Sequence, residues 1–255
     1  MTTENLFDLM LPLGGKITIE RIHSGFLIAE YSGLTKMLDE IYQKAPKTPK
    51  EVEENGFIPI ANTERENGRF SCVALGTEIM CCGTEGLVLK SLAQQITAAL
   101  IEQVWPNMRS VKKIQMATAI HIYSQGRGFD EHKDFGMITI VFKHGTGYSF
   151  RQENGIWKNV QLKKDQFIIH LGCIGEAITG EEAVLHQVLE GTGMTVVYPV
   201  DCLDENWPTL TPCKMTEVLT SQFKGPKDHF DCSFARNVDC RSGYPIKIKP
   251  NLCSE

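Results

Sequence analysis

At Val111 the hydrophobic pattern of the chain switches from helical spacing to short apolar runs, and this switch constrains the fold more than any other feature. Residues 114–123 are almost continuously apolar or small, which suits a strand covered on both faces. Residues 137–142, 167–171, 183–189 and 194–200 repeat the pattern. Residues 147–152 and 156–162 flank Glu153-Asn154-Gly155, and Asn-Gly supplies the positive φ angles of a tight hairpin. Gly191-Thr192-Gly193 turns the chain into the last run. About seven short strands with turn signals roughly every 8–12 residues are the pattern of a sandwich or jelly roll.

Upstream, the chain reads as helices with irregular connections. Leu27, Ile28, Tyr31, Leu34, Leu38, Ile41 and Tyr42 recur at helical spacing until Pro46 stops them. Leu89, Leu92, Ile96, Leu100 and Val104 line one face of a second helix, starting near Glu85 and closed by Pro106. Residues 47–55 are charged, contain Pro49 and read as an exposed loop, and residues 215–223 are a short helical candidate in the tail. The expected fold class is mainly β with a helical N-terminal part. Residues 1–110 form a helix-rich region packed on a jelly-roll core of residues 111–200, and residues 201–255 form a tail. No linker separates them, so one structural domain is expected.

Composition excludes several functions. Of 255 residues, 42% are hydrophobic and 22% charged, enough to bury a core and too apolar for disorder. Twenty-six basic residues against 31 acidic ones give a net charge of −5 without a basic run, so nucleic acid is not an expected partner. The apolar stretches fall short of the roughly 18 residues that a membrane-spanning helix needs. The start, Met1-Thr2-Thr3-Glu4-Asn5, carries acid where a leader would carry base. Nine scattered cysteines suit a reduced, cytoplasmic protein. Cys81-Cys82, Cys202, Cys213, His229, Cys232 and Cys240 lack paired Cys-x-x-Cys spacing and read as ordinary thiols rather than a zinc site. Trp157 and Cys173 read as packing residues.

The chemistry is concentrated in His132-Lys133-Asp134. In an extended segment residues two apart share a face, so one strand end can present an imidazole and a carboxylate to one ion. His186, 52 residues beyond Asp134, lies in the apolar run 183–189 and is the candidate third ligand. Two histidines and one carboxylate on one side of a metal leave the other side open, the arrangement of non-haem Fe(II) oxygenases. A bare His-x-Asp is weak evidence by itself.

The surrounding text strengthens it. Phe129-Asp130-Glu131-His132-Lys133-Asp134, Met137-Ile138-Thr139, Gly155 to Val160, Phe167-Ile168-Ile169-His170-Leu171-Gly172, Ala177-Ile178-Thr179-Gly180 and His186-Gln187-Val188 follow one another in a characteristic order and spacing. Over about seventy residues the chain resembles the isopenicillin N synthase-like branch of the Fe(II)/2-oxoglutarate oxygenases. The first 110 residues match this family poorly.

The resemblance implies a double-stranded β-helix, Fe(II) held by His132, Asp134 and His186, a small-molecule substrate and O₂. It implies 2-oxoglutarate as co-substrate, its far carboxylate gripped by an Arg-x-Ser pair with help from an upstream tyrosine. Tyr123 fits the tyrosine, and His121 stands where the family usually has Asn. The Arg-x-Ser pair is missing: Gly193 occupies the arginine position and Thr195 the serine position. A buried carboxylate needs a cation, so Lys143 or Arg151, with Arg127 ranked third, is the expected substitute. An Fe(II) oxidase that does not use 2-oxoglutarate, and a non-catalytic metal- or ligand-binding jelly roll, are the alternatives. Met116, Thr118, Ile120, Phe150 and His170 are candidate pocket residues. For His170 the weightier alternative is a core histidine satisfied by the backbone.

Overall fold

The structure, a computed structural model, describes residues 5–45, 51, 58–59, 69–74, 83–112, 114–116, 118–123, 129–134, 136–145, 148–151, 155–188 and 193–202. It opens with an antiparallel meander of β1 (Leu6–Met10), β2 (Lys16–His23) and β3 (Phe26–Glu30), and helix α1 (Leu34–Lys44) follows. The helical spacing from Leu27 to Tyr42 therefore holds only from Leu34 onward, and residues 26–30 are a strand. Phe26, Leu27 and Ala29 are all buried, so both faces of this segment are apolar and spacing cannot separate helix from strand. The decision comes from β12 (Gln166–Leu171), whose free edge pairs with β3 from Gln166↔Glu30 to His170↔Phe26. The N-terminal residues and the predicted core thus share one sheet.

Strands β4 (Ile58–Pro59) and β5 (Arg69–Ala74) precede helix α2 (Gly83–Gln103), which carries Leu89, Leu92, Ile96 and Leu100 on its buried side as the sequence predicts. Then come β6 (Ile114–Met116), β7 (Thr118–Tyr123), β8 (Phe129–His132), β9 (Ile138–Gly145), β10 (Tyr148–Arg151) and β11 (Trp157–Asn159). After β12 come a short helix α3 (Cys173–Thr179), not anticipated from the sequence, and strands β13 (His186–Val188) and β14 (Gly193–Cys202). The large sheet runs β1-β2-β3-β12-β9-β14-β7-β5-β4, with β6 also on β14, and the small one β11-β10-β13-β8. From β7 onward the chain shuttles between the two sheets, which is the expected jelly roll. The predicted hairpin is present, with Phe150 opposite Lys158 and Gly155 at φ 77°. The helical candidate at 215–223 and Arg127 lie outside the described residues. Among the described residues no helix is long and apolar enough to cross a membrane.

Strand alternation divides the core into two layers. Ile120 and Ile122 of β7, Ile138, Ile140 and Phe142 of β9, Phe167 and Ile169 of β12, and Met194, Val196 and Tyr198 of β14 pack with α1 and α2. The opposite face of the large sheet meets the small sheet through Tyr123, Val141, Ile168 and Val188. Residues between the sheets are therefore 119, 121 and 123 on β7, 139, 141 and 143 on β9, 168 and 170 on β12, and 195 and 197 on β14.

Helix α1 starts on a distant cap. The Gly33 and Thr35 N–H groups donate to the Asp165 carboxylate at 3.1 and 2.8 Å, and the Asp165 N–H donates to Thr35 Oγ1 at 2.9 Å. These bonds, the Thr35 N–H foremost, hold the Asp165 carboxyl below its usual 3.8. A carboxyl with a depressed folded-state pKa stabilises fully above its unfolded value and loses that contribution as pH falls through the folded one. Asp165→Asn is expected to lower Tm at pH 7, and its deficit relative to wild type should narrow by about pH 3. A deficit of equal size at both pH values would show that the carboxylate charge is not what stabilises the helix start.

Candidate metal centre

Between the sheets, near one end, the chain brings together Asp134 from the loop after β8, His170 from β12 and His186 from the start of β13. One ligand atom from each lies within 4.8 Å of the others. His186 Nε2 is 3.8 Å from Asp134 Oδ1, and His170 Nε2 is 3.6 Å from Asp134 Oδ2. The two imidazole rings are tilted at 53°, their centres 4.5 Å apart. His170 is fully buried and His186 nearly so.

The tautomers follow from the other ring nitrogens. His186 Nδ1 lies 3.0 Å from the Val184 carbonyl and His170 Nδ1 lies 3.3 Å from the Leu171 carbonyl. A carbonyl can only accept, so each Nδ1 carries the hydrogen and each ring turns its Nε2 toward Asp134. A backbone carbonyl on the far nitrogen is also how metal-binding histidines are oriented. Two imidazole nitrogens and a carboxylate oxygen are a donor set suited to Fe(II), so the residues fit such an ion.

The Asp134 loop is held by the backbone. The Cys173 N–H donates to the Asp134 carbonyl at 2.8 Å, Gly172 to Met137 at 3.1 Å, and Gly175 to Gly136 at 3.4 Å. The start of α3 thereby ties the carboxylate loop to the end of β12, three residues past His170. This close approach requires Gly172. A Cβ there would stand 2.1 Å from the Gly136 oxygen and 2.8 Å from the Asp134 oxygen. Gly172→Ala is expected to cost about 1–3 kcal/mol by overpacking against backbone and to weaken divalent-metal binding by displacing Asp134. Unchanged melting and metal affinity would contradict this. Glu176 of α3 adds a second tie: its Oε2 accepts from Lys133 Nζ at 3.1 Å and from the Ala183 N–H at 2.9 Å. One carboxylate thus spans the two segments that carry Asp134 and His186.

Farther along the same lumen, Tyr123 OH and Thr195 Oγ1 lie 3.4 Å apart, both side chains buried. Thr195 is the direct cross-strand partner of Lys143 on β9 and of His121 on β7. Lys143 is half-buried, and burial alone pushes its ammonium pKa down to about 8. Gly193 has φ 112°, and a Cβ there would lie 2.1 Å from the His144 carbonyl oxygen. No arginine can occupy that position without moving the backbone. Thr139, cross-strand partner of His170, has a buried hydroxyl with no hydrogen-bond partner among the described residues. In the sequence it figures only within the Met137-Ile138-Thr139 run, with no role of its own, although its place two residues from Val141 on an alternating strand marks it as facing the lumen.

The other predicted residues are placed as follows. His132 ends β8 as the register partner of His186. Phe150 pairs with His186 and Arg151 with Trp157 in backbone register. Ile120 packs with the helices, on the face of β7 opposite Tyr123, and Met116 packs against that same core. Thr118 is buried on the Ile120 face by alternation. These three are corrected from lumen to outer layer: Thr118 and Ile120 because the inward parity of β7 is that of Tyr123, and Met116, on β6, because it packs against the helix-side core. His170, weighed as a core histidine, does have a backbone partner but also joins Asp134 and His186.

No family model matches the sequence, and no curated protein does. Solved structures do match in fold. A Caulobacter crescentus protein assigned to the 2OG-Fe(II) oxygenase family superposes with a TM-score of 0.54 at 10% identity, over 78% of this chain and 90% of that one. An assigned oxygenase from Shewanella oneidensis gives 0.52 at 15% identity, over 71% and 82%. A full-length Neurospora crassa protein, solved in complex with alpha-KG, gives 0.51 at 13% identity, over 70% and 74%. The chain therefore has the jelly-roll fold of 2-oxoglutarate–Fe(II) oxygenases.

Proposed function

We propose that this chain is a non-haem Fe(II) oxygenase of the 2-oxoglutarate-dependent class, oxidising a small molecule with O₂. The observation that carries the reading is the approach of Asp134 Oδ1 and His186 Nε2 to 3.8 Å between the two sheets of a jelly roll. His132, the register partner of His186, completes the two-histidine, one-carboxylate set. Ferrous iron bound there would supply dioxygen activation and oxidation of a substrate C–H bond.

The rest of the work belongs to the chain. Val141, Ile168 and Val188 keep the lumen apolar and exclude water. Lys143, with the hydroxyls of Thr195 and Tyr123, binds the far carboxylate of 2-oxoglutarate in place of the arginine excluded at Gly193. Lys143 sits four residues along β9 from Thr139, about 13 Å at strand spacing, of the order of a lysine stem plus a five-carbon diacid. A half-buried ammonium whose pKa is lowered by desolvation regains favourable electrostatics when a carboxylate arrives.

The test is anaerobic titration of the Fe(II)-loaded protein with 2-oxoglutarate, followed by visible absorption. A charge-transfer band saturating at sub-millimolar co-substrate is expected, because bidentate ligation of an open ferrous site produces one. Substrate-dependent O₂ uptake without the band would instead favour an oxidase independent of 2-oxoglutarate.

A further inference from the structure

We infer that His170 is an additional metal-binding residue, so that the centre contains an imidazole from the large sheet besides Asp134 and His186. This deepens the proposed function and rests on it. The argument is geometric. His170 lies on the inward face of β12, with Ile168 preceding it on the same face. Its Nε2 is as close to Asp134 Oδ2, at 3.6 Å, as the His186 Nε2 is to Oδ1, at 3.8 Å. The two carboxylate oxygens thus face one imidazole each. Its Nδ1 is committed to the Leu171 carbonyl, which leaves Nε2 as the donor atom on the side of the cluster. Right-angled donors on an ion with bonds of about 2.1 Å stand roughly 3 Å apart, and opposed donors about 4.2 Å. The observed separations, 3.6 and 3.8 Å with none above 4.8 Å, overlap that range, and small side-chain adjustments would close the rest.

A histidine satisfied only structurally would not need to meet a half-buried carboxylate and a second imidazole at the same point. The ring is fully buried, and β12 is held on both sides by β3 and β9, so its position is rigid. Unlike the expected triad, whose histidines lie on the small-sheet strands β8 and β13, this residue would couple the metal to the large sheet. With His132 also bound, the centre would draw on four protein donors.

The experiment uses the full-length apo-protein and metal alone. Co(II) titration of wild type and His170→Asn, followed by d–d absorption, is expected to give at least a tenfold weaker dissociation constant and a shifted spectrum in the variant. Near-UV circular dichroism checks that the variant is folded. Equal affinity and an unchanged spectrum in a folded variant overturn the inference while leaving the proposed function standing. A wild-type protein that takes up no Co(II) overturns both. Should His170→Asn not fold, pulsed EPR of the Cu(II)-loaded His132→Ala protein decides. Two coupled imidazoles, from His170 and His186, support the assignment, and one or none refutes it.

Discussion

Replacing Lys143 with methionine is expected to weaken 2-oxoglutarate binding to the Fe(II)-loaded protein by about thirtyfold or more, while metal affinity stays unchanged. Removing one partner of a desolvated charge pair typically costs about 2–5 kcal/mol. Methionine keeps the apolar stem and most of the volume, so the loss reports the charge. The same residue predicts a pH dependence. In the free protein Lys143 titrates at about 8 because burial disfavours its charged form. Only the ammonium attracts a carboxylate, so co-substrate affinity should be flat well below that pH and fall about tenfold per unit above it. Lys143→Arg should restore binding and move the decline to higher pH, because guanidinium stays charged. Binding of 2-oxoglutarate by Lys143→Met equal to wild type would assign the carboxylate grip elsewhere.

Asp134→Ala is expected to abolish stoichiometric Fe(II) retention after desalting, and His186→Ala to do the same. The carboxylate is the single anionic donor in the cluster and stands between both imidazoles. Without it, only neutral imidazole donors remain to hold a dication, and the hard oxygen ligand that favours ferrous over softer ions is gone. The backbone staple from α3 acts on the Asp134 carbonyl rather than its carboxylate, so the variant should keep the wild-type fold. Metal analysis with a melting curve checks both statements. Full iron content in Asp134→Ala would remove Asp134 from the centre.

These expectations depend differently on sequence and structure. Apart from β8, whose Phe129-Asp130-Glu131-His132 is not an apolar run, the strands from β7 to β14 are legible in the chain, because short apolar runs and an Asn-Gly turn encode them locally. Helix α2 is legible for the same reason, since five apolar residues mark one face. Local patterning fails at residues 26–30, where both faces are apolar and the choice of strand depends on the distant edge of β12. It fails again at Met116, Thr118 and Ile120. Alternation establishes that every second residue shares a face, but which face turns inward depends on which sheet closes over it. The span of α3 shows the same limit. Its seven residues are anchored by hydrogen bonds to the Asp134 loop that no local signal announces.

For the site, sequence alone determines the donor types and the loss of the arginine at Gly193. A glycine cannot carry a charge in any fold. Tertiary structure decides that Asp134 meets His186, that His170 comes to the same point, and that Lys143 lies directly across from Thr195. Those outcomes depend on how two sheets stack and in what register their strands pair, quantities set by long-range hydrogen bonding and packing. A one-residue slip in β9 would turn Lys143 out of the lumen and Phe142 into it.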